Sequence, residues 1–160
     1  MQNSIIIFIH LMAAGICVGS SFYCLALVFP ALEKLSSDDA FDETSPIYKA
    51  MDFLAPTVFT CIVVLLGSGI YYLMENYTDQ VNLKEGYYNL LGVKLVFVMV
   101  ALGLSVYQMF GLRPSIANLD LEPEKRKLVP AVLKKMKILG QVVLWTVIIA
   151  IFLGVWLARF

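Results

Sequence analysis

The only histidine in the chain, His10, lies in an apolar stretch, residues 8–32, that is long enough to cross a bilayer. A second ionisable side chain, Lys94, interrupts the apolar stretch between Glu85 and Arg113. Ionisable residues inside membrane segments are costly, about 2.5–3.5 kcal/mol for lysine on insertion scales, and usually face the interior of a helix bundle. An imidazole ligates metals and haem iron. A lysine amine binds an anion when charged and is a ligand when neutral.

The two ionisable residues are predicted to lie at one depth. If the first helix begins near Ser4, His10 is about six residues, or roughly 9 Å, inside the outer boundary. If the third helix begins near Tyr87, Lys94 is about seven residues, or roughly 10 Å, inside the same boundary. Two structural alternatives stay open: Lys94 extending to the headgroups, and a neutral His10 bonded to a neighbouring helix.

Sulfur donors accompany the histidine. Cys17 and Cys24 are seven residues apart on one predicted helix, about 10.5 Å, so they are too far apart for a disulfide. No CxxC or HxxxH spacing occurs, so a closed zinc site is not predicted. Thiols and thioethers suit Cu(I), and His10, Met12, Cys17 and Cys24 form a candidate metal set, with Cys61 as a further donor. Methionine and cysteine are also ordinary apolar fillers.

Each predicted helix has one face that carries its more polar or softer side chains, and we expect these faces to converge. Alternatively, the small polar residues only pack helices together. The four faces are His10, Ala14, Cys17, Ser21 and Cys24; Thr57, Cys61, Val64, Ser68 and Tyr71 or Tyr72; Lys94, Val98, Ala101, Ser105 and Gln108; and Gln141, Trp145, Phe152 and Trp156.

The elements that must position these residues follow from composition. The 160 residues are 60% hydrophobic and 15% charged, which is too apolar for a soluble domain. The charges are segregated, and the gaps between them are long enough to span a hydrocarbon core. We predict transmembrane helices near 4–31, 53–75, 87–111 and 138–159. The fold class is therefore an all-α, integral membrane, antiparallel four-helix bundle that forms a single domain over 1–160.

Orientation follows from lysine and arginine positions. The chain has twelve lysine and arginine residues. Nine of them lie between the first and second or between the third and fourth predicted helices: Lys34, Lys49, Arg113, Lys125, Arg126, Lys127, Lys134, Lys135 and Lys137. Two lie on the opposite side, Lys84 and Arg159. The positive-inside rule places both termini outside, on the periplasmic side. The first segment lacks a basic start and exceeds the apolar core of a signal peptide, so we expect it to be retained.

The basic segment "EPEKRKLVPAVLKKMK" before the fourth predicted helix has two interpretations. Its basic and apolar residues interleave, which is typical of a helix lying on anionic headgroups. The same residues also suffice as a positive-inside anchor without a specific lipid, and this interpretation is favoured.

Three stretches resemble the copper resistance protein D (CopD) family. The first, "IHLMAAGICVGSSFYCLALVFPAL", is similar to the family's first helix. "GSGIYYL" is similar to its small-residue helix end, and "GYYNLLGVKLVFVMVALGLSVYQMFGLRP" to its lysine-bearing third helix. The matching residues are His10, Ala13, Ala14, Gly19, Pro30, Ala31, Leu32, Gly69, Tyr87, Leu90 or Leu91, Lys94, Arg113 and Pro114.

The resemblance implies a bacterial inner-membrane protein for copper uptake or homeostasis. The layout is also similar to the haem-binding HemJ family, which likewise has a histidine in helix one and a lysine in helix three. Copper handling and a b-type haem subunit, with His10 as axial ligand and Lys94 as second ligand or counter-ion, therefore both stay open. So does a cofactor-free structural subunit. Expected partners are the lipid bilayer, other membrane subunits, or a periplasmic metal or electron carrier. Nothing points to nucleic acid, and no residue is assigned a catalytic role.

Overall fold

The computed structural model describes residues 2–34, 46–77, 86–114 and 129–158, and all the elements described there are helical. The first span is one continuous helix with a π-helical turn inside it, and the third span ends in another. The elements are α1 (Gln2–Tyr23), π1 (Cys24–Val28), α2 (Phe29–Lys34), α3 (Pro46–Tyr77), α4 (Tyr87–Val106), π2 (Tyr107–Leu112) and α5 (Val129–Leu157).

Four stretches of these helices are long and apolar enough to cross a membrane: Ser4–Ala31, Asp52–Glu75, Tyr87–Leu112 and Pro130–Leu157. The prediction of an all-α chain with four helices long and apolar enough to span a membrane is thus confirmed for the described residues. The first three predicted boundaries agree with the structure to within a residue. The fourth is wrong at its start, because α5 begins at Val129 rather than near residue 138.

The error in the fourth boundary has a physical cause. The predicted loop before the fourth helix includes Lys134, Lys135 and Lys137. In the structure all three lie in the first turns of α5. A helix satisfies its own backbone hydrogen bonds, so it continues beyond the apolar layer that fixes the span. For residues 129–137 the interpretation as a separate surface-lying helix is therefore wrong. Residues 122–128 of that basic segment lie outside the described residues.

Helix α1 packs most extensively on α3, and α4 packs most extensively on α5. Two clusters of buried side chains form the core. The inner-end cluster, named for the end that the sequence predicts to face the cytoplasm, comprises Cys24, Val28, Phe29, Leu112 and Met136. The central cluster comprises Cys17, Val58, Cys61, Ile62, Ala101, Val143 and Val147.

Many of the largest apolar side chains point away from this core. Phe8, Trp145 and Phe152 are each exposed by 62–63%, whereas Ala101 and Val143 are buried. A soluble protein would bury the aromatic residues, but lipid tails solvate them as well as a protein core does. Small residues inside let the helices approach closely. The exposed apolar surface is therefore the surface that a bilayer covers.

The exposure of large aromatic residues contradicts the inner face that the sequence predicts for the fourth helix. Trp145, Phe152 and Trp156 are exposed on α5, and so is Gln141. The buried face of α5 instead consists of mid-sized and small residues: Met136, Val143, Leu144, Thr146, Val147, Ala150, Leu153 and Leu157. The prediction failed because it treated aromatic residues as inner, although in lipid they have no reason to be buried.

Both π-helical turns end two residues before a proline. In π1 the Phe29 N–H donates to the Cys24 carbonyl, and Pro30 follows. In π2 the Arg113 N–H donates to the Gln108 carbonyl, and Pro114 follows. A proline ring clashes with the carbonyl four residues earlier and supplies no N–H. The wider π turn is the adjustment that membrane helices use to accommodate such a residue.

An ion pair ties the second span to the third. Arg113 donates from Nε to Asp52 Oδ1 at 2.8 Å and from its terminal nitrogen to Oδ2 at 3.1 Å. Two parallel hydrogen bonds give this pair a defined geometry. It places the beginning of the second span beside the end of the third.

The buried face of α5 predicts a position-dependent response to added volume. Ala150→Leu inserts three carbons into a closed packing layer and should lower the free energy of unfolding by about 1–3 kcal/mol. Ala131→Leu is the matched control, because Ala131 is exposed on the same helix and should be nearly neutral. Denaturant unfolding of the detergent-solubilised protein, followed by circular dichroism, measures both. Equal losses in the two variants would contradict this assignment of the buried face.

Candidate functional site

The imidazole of His10 on α1 is held by α3. Its Nδ1 lies 2.7 Å from Ser68 Oγ. The Ser68 hydroxyl donates to the Val64 carbonyl of its own helix at 2.6 Å, with Leu65 as a more distant acceptor at 3.3 Å. Since the serine proton is used there, Nδ1 must carry the imidazole proton and donate to Oγ. The lone pair of the neutral ring is then on Nε2.

This arrangement is the one that metal-ligating histidines use. A second group accepts the N–H of one ring nitrogen, which fixes the tautomer and ring orientation and leaves the other nitrogen as ligand. Here the accepting group is the Ser68 hydroxyl. The hydrogen bond that Ser68 donates to the Val64 carbonyl fixes the serine rotamer. His10 is thus oriented by a chain of two hydrogen bonds that begins at the backbone of α3.

Each of the two ionisable side chains packs against a glycine of a neighbouring helix. An added Cβ at Gly69 on α3 would lie 3.7 Å from His10 Cε1. An added Cβ at Gly154 on α5 would lie 3.1 Å from Lys94 Nζ and 3.5 Å from its Cε. The absence of a side chain at Gly154 is therefore what leaves room for the ammonium between α4 and α5.

Lys94 and His10 are both half-buried. Among the described residues, no carboxylate lies within ion-pair distance of the Lys94 ammonium. A cation in this position attracts an anionic group from a ligand, or acts as a ligand itself once neutral. The structure thus leaves both side chains half-buried, each beside a glycine of a neighbouring helix.

The sulfur donors proposed for the same metal set are not gathered around His10. Met12 is 48% exposed, because two residues along a helix correspond to a rotation of about 200°. Cys17 lies in the central cluster and Cys24 in the inner-end cluster. Within the described ranges, no group of three or more histidine, cysteine or acidic residues is placed to hold a metal ion.

The predicted inner faces of the first and third helices do lie in the core. Ala14, Cys17, Ser21 and Cys24 are buried along the first span. Ala101, Ser105 and Gln108 are buried along the third. The outer end of the second face departs from the prediction, because Tyr71 and Tyr72 are exposed. At that level the tyrosine rings suit the bilayer interface.

An open apolar groove lies between α1 and α3 beside the histidine's partner. Its volume is about 450 Å³, and its lining consists of Ile5, Ile6, Ile9, Gly67, Ser68 and Tyr71. Small-molecule and cofactor sites usually have volumes of roughly 300–1,000 Å³ and an apolar lining with a few polar groups. The Ser68 hydroxyl supplies such a polar group here.

Sequence reasoning placed Ser68 on an inner face but did not pair it with His10. The predicted depths suggest the pair. Ser68 lies about seven residues, or roughly 10.5 Å, from the end of its span at Glu75, and His10 lies at a similar distance from the start of the first span. The resemblance marks Gly69 only as a small residue at a helix end, whereas the structure places it against His10. No sequence signal connects Gly154 to Lys94.

Comparisons with protein-family models, with curated proteins and with solved structures found no match. The site therefore has to be interpreted from its own geometry.

The hydrogen bond to Ser68 predicts the tautomer of the only histidine. With 15N-labelled histidine, the detergent-solubilised protein at neutral or mildly alkaline pH should give one imidazole whose Nδ1 is protonated and whose Nε2 is not. Ser68→Ala removes the acceptor, so this preference should be lost and the free energy of unfolding should fall by about 1 kcal/mol. NMR correlation spectra of the ring nitrogens measure the tautomer.

Ser105→Ala is the matched control for this test. Ser105 is also a serine inside the bundle, but its hydroxyl donates only to the Leu102 carbonyl of its own helix, at 2.9 Å. The control should leave the His10 spectrum unchanged. A protonated Nε2 in the wild-type protein would contradict the proposed geometry.

Proposed function

We propose that this multi-pass membrane protein binds a b-type haem with His10 Nε2 as axial ligand. The observation that supports the proposal is the hydrogen bond from Nδ1 to Ser68, because it leaves one oriented imidazole nitrogen with a free lone pair. A haem needs only one or two axial ligands from the protein. The donor set near His10, one imidazole and one amine, fits that requirement better than it fits a multidentate metal site.

Lys94 fits this function in either protonation state. Charged, it pairs with a haem propionate, and the space opened by Gly154 lets its ammonium sit between two helices. Neutral, it is the second axial ligand. When bound, the haem supplies one-electron transfer, and the protein's part is to orient the imidazole and exclude water.

The second candidate function is the handling of Cu(I), in line with the resemblance to the CopD family. It is favoured by the buried free thiols Cys17 and Cys61, which share the central cluster between α1 and α3. Copper here is cargo rather than a resident cofactor. His10 would be its outer ligand, with Met12, Cys17 and Cys24 as the further donors of the proposed path.

We also propose that the protein is an antiparallel bundle in a bacterial inner membrane, with both termini in the periplasm. The excess of lysine and arginine before the second and fourth spans supports this orientation. The ion pair between Asp52 and Arg113 supports the antiparallel arrangement, because it brings the beginning of the second span to the end of the third. A periplasmic metal or electron carrier, or another membrane subunit, would then meet the His10 end.

The first test of function is an absorption spectrum with haem and copper quantified per chain. Wild-type protein purified in detergent from cells supplied with both should show a Soret band. His10→Ala should lower haem occupancy about tenfold or more, because no second histidine can replace the ligand. Lys94→Ala should convert six- to five-coordinate haem if Lys94 is a ligand. If Lys94 instead pairs with a propionate, the haem should keep its coordination number, and only the haem occupancy should fall.

Met12→Ala is the control for His10→Ala, because it alters the same turn of α1 on the exposed side. It should retain haem, whereas a copper path through Met12 predicts a loss of copper. Full haem occupancy in His10→Ala would overturn the ligand assignment. A wild-type protein that holds neither haem nor copper would leave a cofactor-free subunit as the function.

Orientation is tested by labelling single cysteines. With Cys17, Cys24 and Cys61 replaced by alanine, Ser115→Cys should react with a membrane-impermeant maleimide only after the cells are opened. Asn82→Cys, in the loop between the second and third spans, should react in intact cells. Rapid labelling of the 115 variant from outside would reverse the proposed topology.

A further inference from the structure

The three cysteines of the chain are all buried free thiols, but only two of them share a cluster. Cys17 on α1 is 1% exposed, and Cys61 on α3 is 8% exposed. The remaining members of the cluster are apolar: Val58, Ile62, Ala101, Val143 and Val147. Two sulfur atoms therefore lie in a dry, closely packed layer of the bundle.

The contact between His10 and Ser68 fixes how α1 and α3 align. Cys17 is seven residues further along α1, and Cys61 is seven residues earlier in α3. Seven residues are two helical turns, about 10.5 Å, so both cysteines reach the same layer on the same faces. In agreement, both cysteines belong to the central cluster. Cys24 lies another two turns along the first span. The α3 residue at that level is Leu54, which has no sulfur.

The chemistry of this pair selects a narrow class of ligand. Thiol sulfur is soft and prefers Cu(I) and similar ions over Mg²⁺ or Ca²⁺. Structural zinc takes four ligands, and this layer offers two. Monovalent soft ions such as Cu(I) and Ag(I) accept two sulfur ligands.

We propose that Cys17 and Cys61 form a two-coordinate site for a soft monovalent metal ion, Cu(I) or Ag(I), between α1 and α3. Binding one ion releases one proton: one thiol becomes a thiolate bonded to the metal, and the other stays a thiol that donates a sulfur lone pair. No electron is transferred, and the occupied site has no net charge. That neutrality matters, because an isolated charge in an apolar layer is very costly.

This inference deepens the second function proposed above and rests on it for the biological role of the ion. It is independent of haem at His10, because the two sites use different side chains two turns apart. His10→Ala should therefore lose haem yet still bind the soft ion.

The test is a titration of the purified, fully reduced protein with Ag(I), and with Cu(I) under a competing chelator. Wild-type protein should hold about one tightly bound ion per chain and unfold at a higher temperature when the ion is present. Cys17→Ala and Cys61→Ala should each lose both the tight binding and the thermal shift. Ag(I) needs no reductant, so it reports binding apart from copper redox chemistry.

Ser21→Ala is the matched control, because it removes a buried polar side chain from the same helix at a position outside both clusters. It should keep the ion and the thermal shift. Loss of the ion in Ser21→Ala, or retention in Cys17→Ala, would overturn the assignment. So would a reduced wild-type protein that binds no ion. A circular dichroism spectrum of each variant separates loss of the site from loss of the fold.

Discussion

Lipid tails offer no hydrogen-bond partner, so every polar group inside the bilayer must find one within the protein. The helical backbone meets this requirement along all four spans. Most hydroxyl groups meet it too, by donating to carbonyls of their own helix, as Ser20, Thr57, Ser105 and Thr146 do. Such bonds satisfy the hydroxyl without connecting one helix to another.

The few bonds that do run between helices therefore have a large effect on the alignment of the bundle. His10 and Ser68 connect α1 with α3, and Asp52 and Arg113 connect the second and third spans at the opposite end. Among the described residues, Gln108 makes a further bond of this kind by donating from Nε2 to the Met136 carbonyl of α5 at 3.3 Å. Because the apolar contacts are non-directional, these bonds fix which residues share a layer. The alignment of Cys17 with Cys61 follows from the first of them.

Glycine and proline adapt the helices to the two ionisable side chains and to the inner ends of the spans. Gly69 and Gly154 leave space for His10 and Lys94 without interrupting α3 or α5. The prolines act on the backbone instead, and a π turn precedes both Pro30 and Pro114. The two π turns lie at the inner-end cluster, to which Cys24 and Leu112 belong. Within the described helices, both π turns lie at the end away from His10.

The sequence alone determined the number of spans and most of their limits, because uncharged stretches of this length have few alternatives in water. It also predicted a shared depth for His10 and Lys94, since helical rise converts residue number into distance. The tertiary structure decided the partners of those side chains: Ser68, Gly69 and Gly154. It also decided which face of α5 is buried, against the prediction from Trp145 and Phe152. The physical reason is that lipid and protein core are equally apolar, so hydrophobicity marks a membrane helix without indicating which side faces its neighbours.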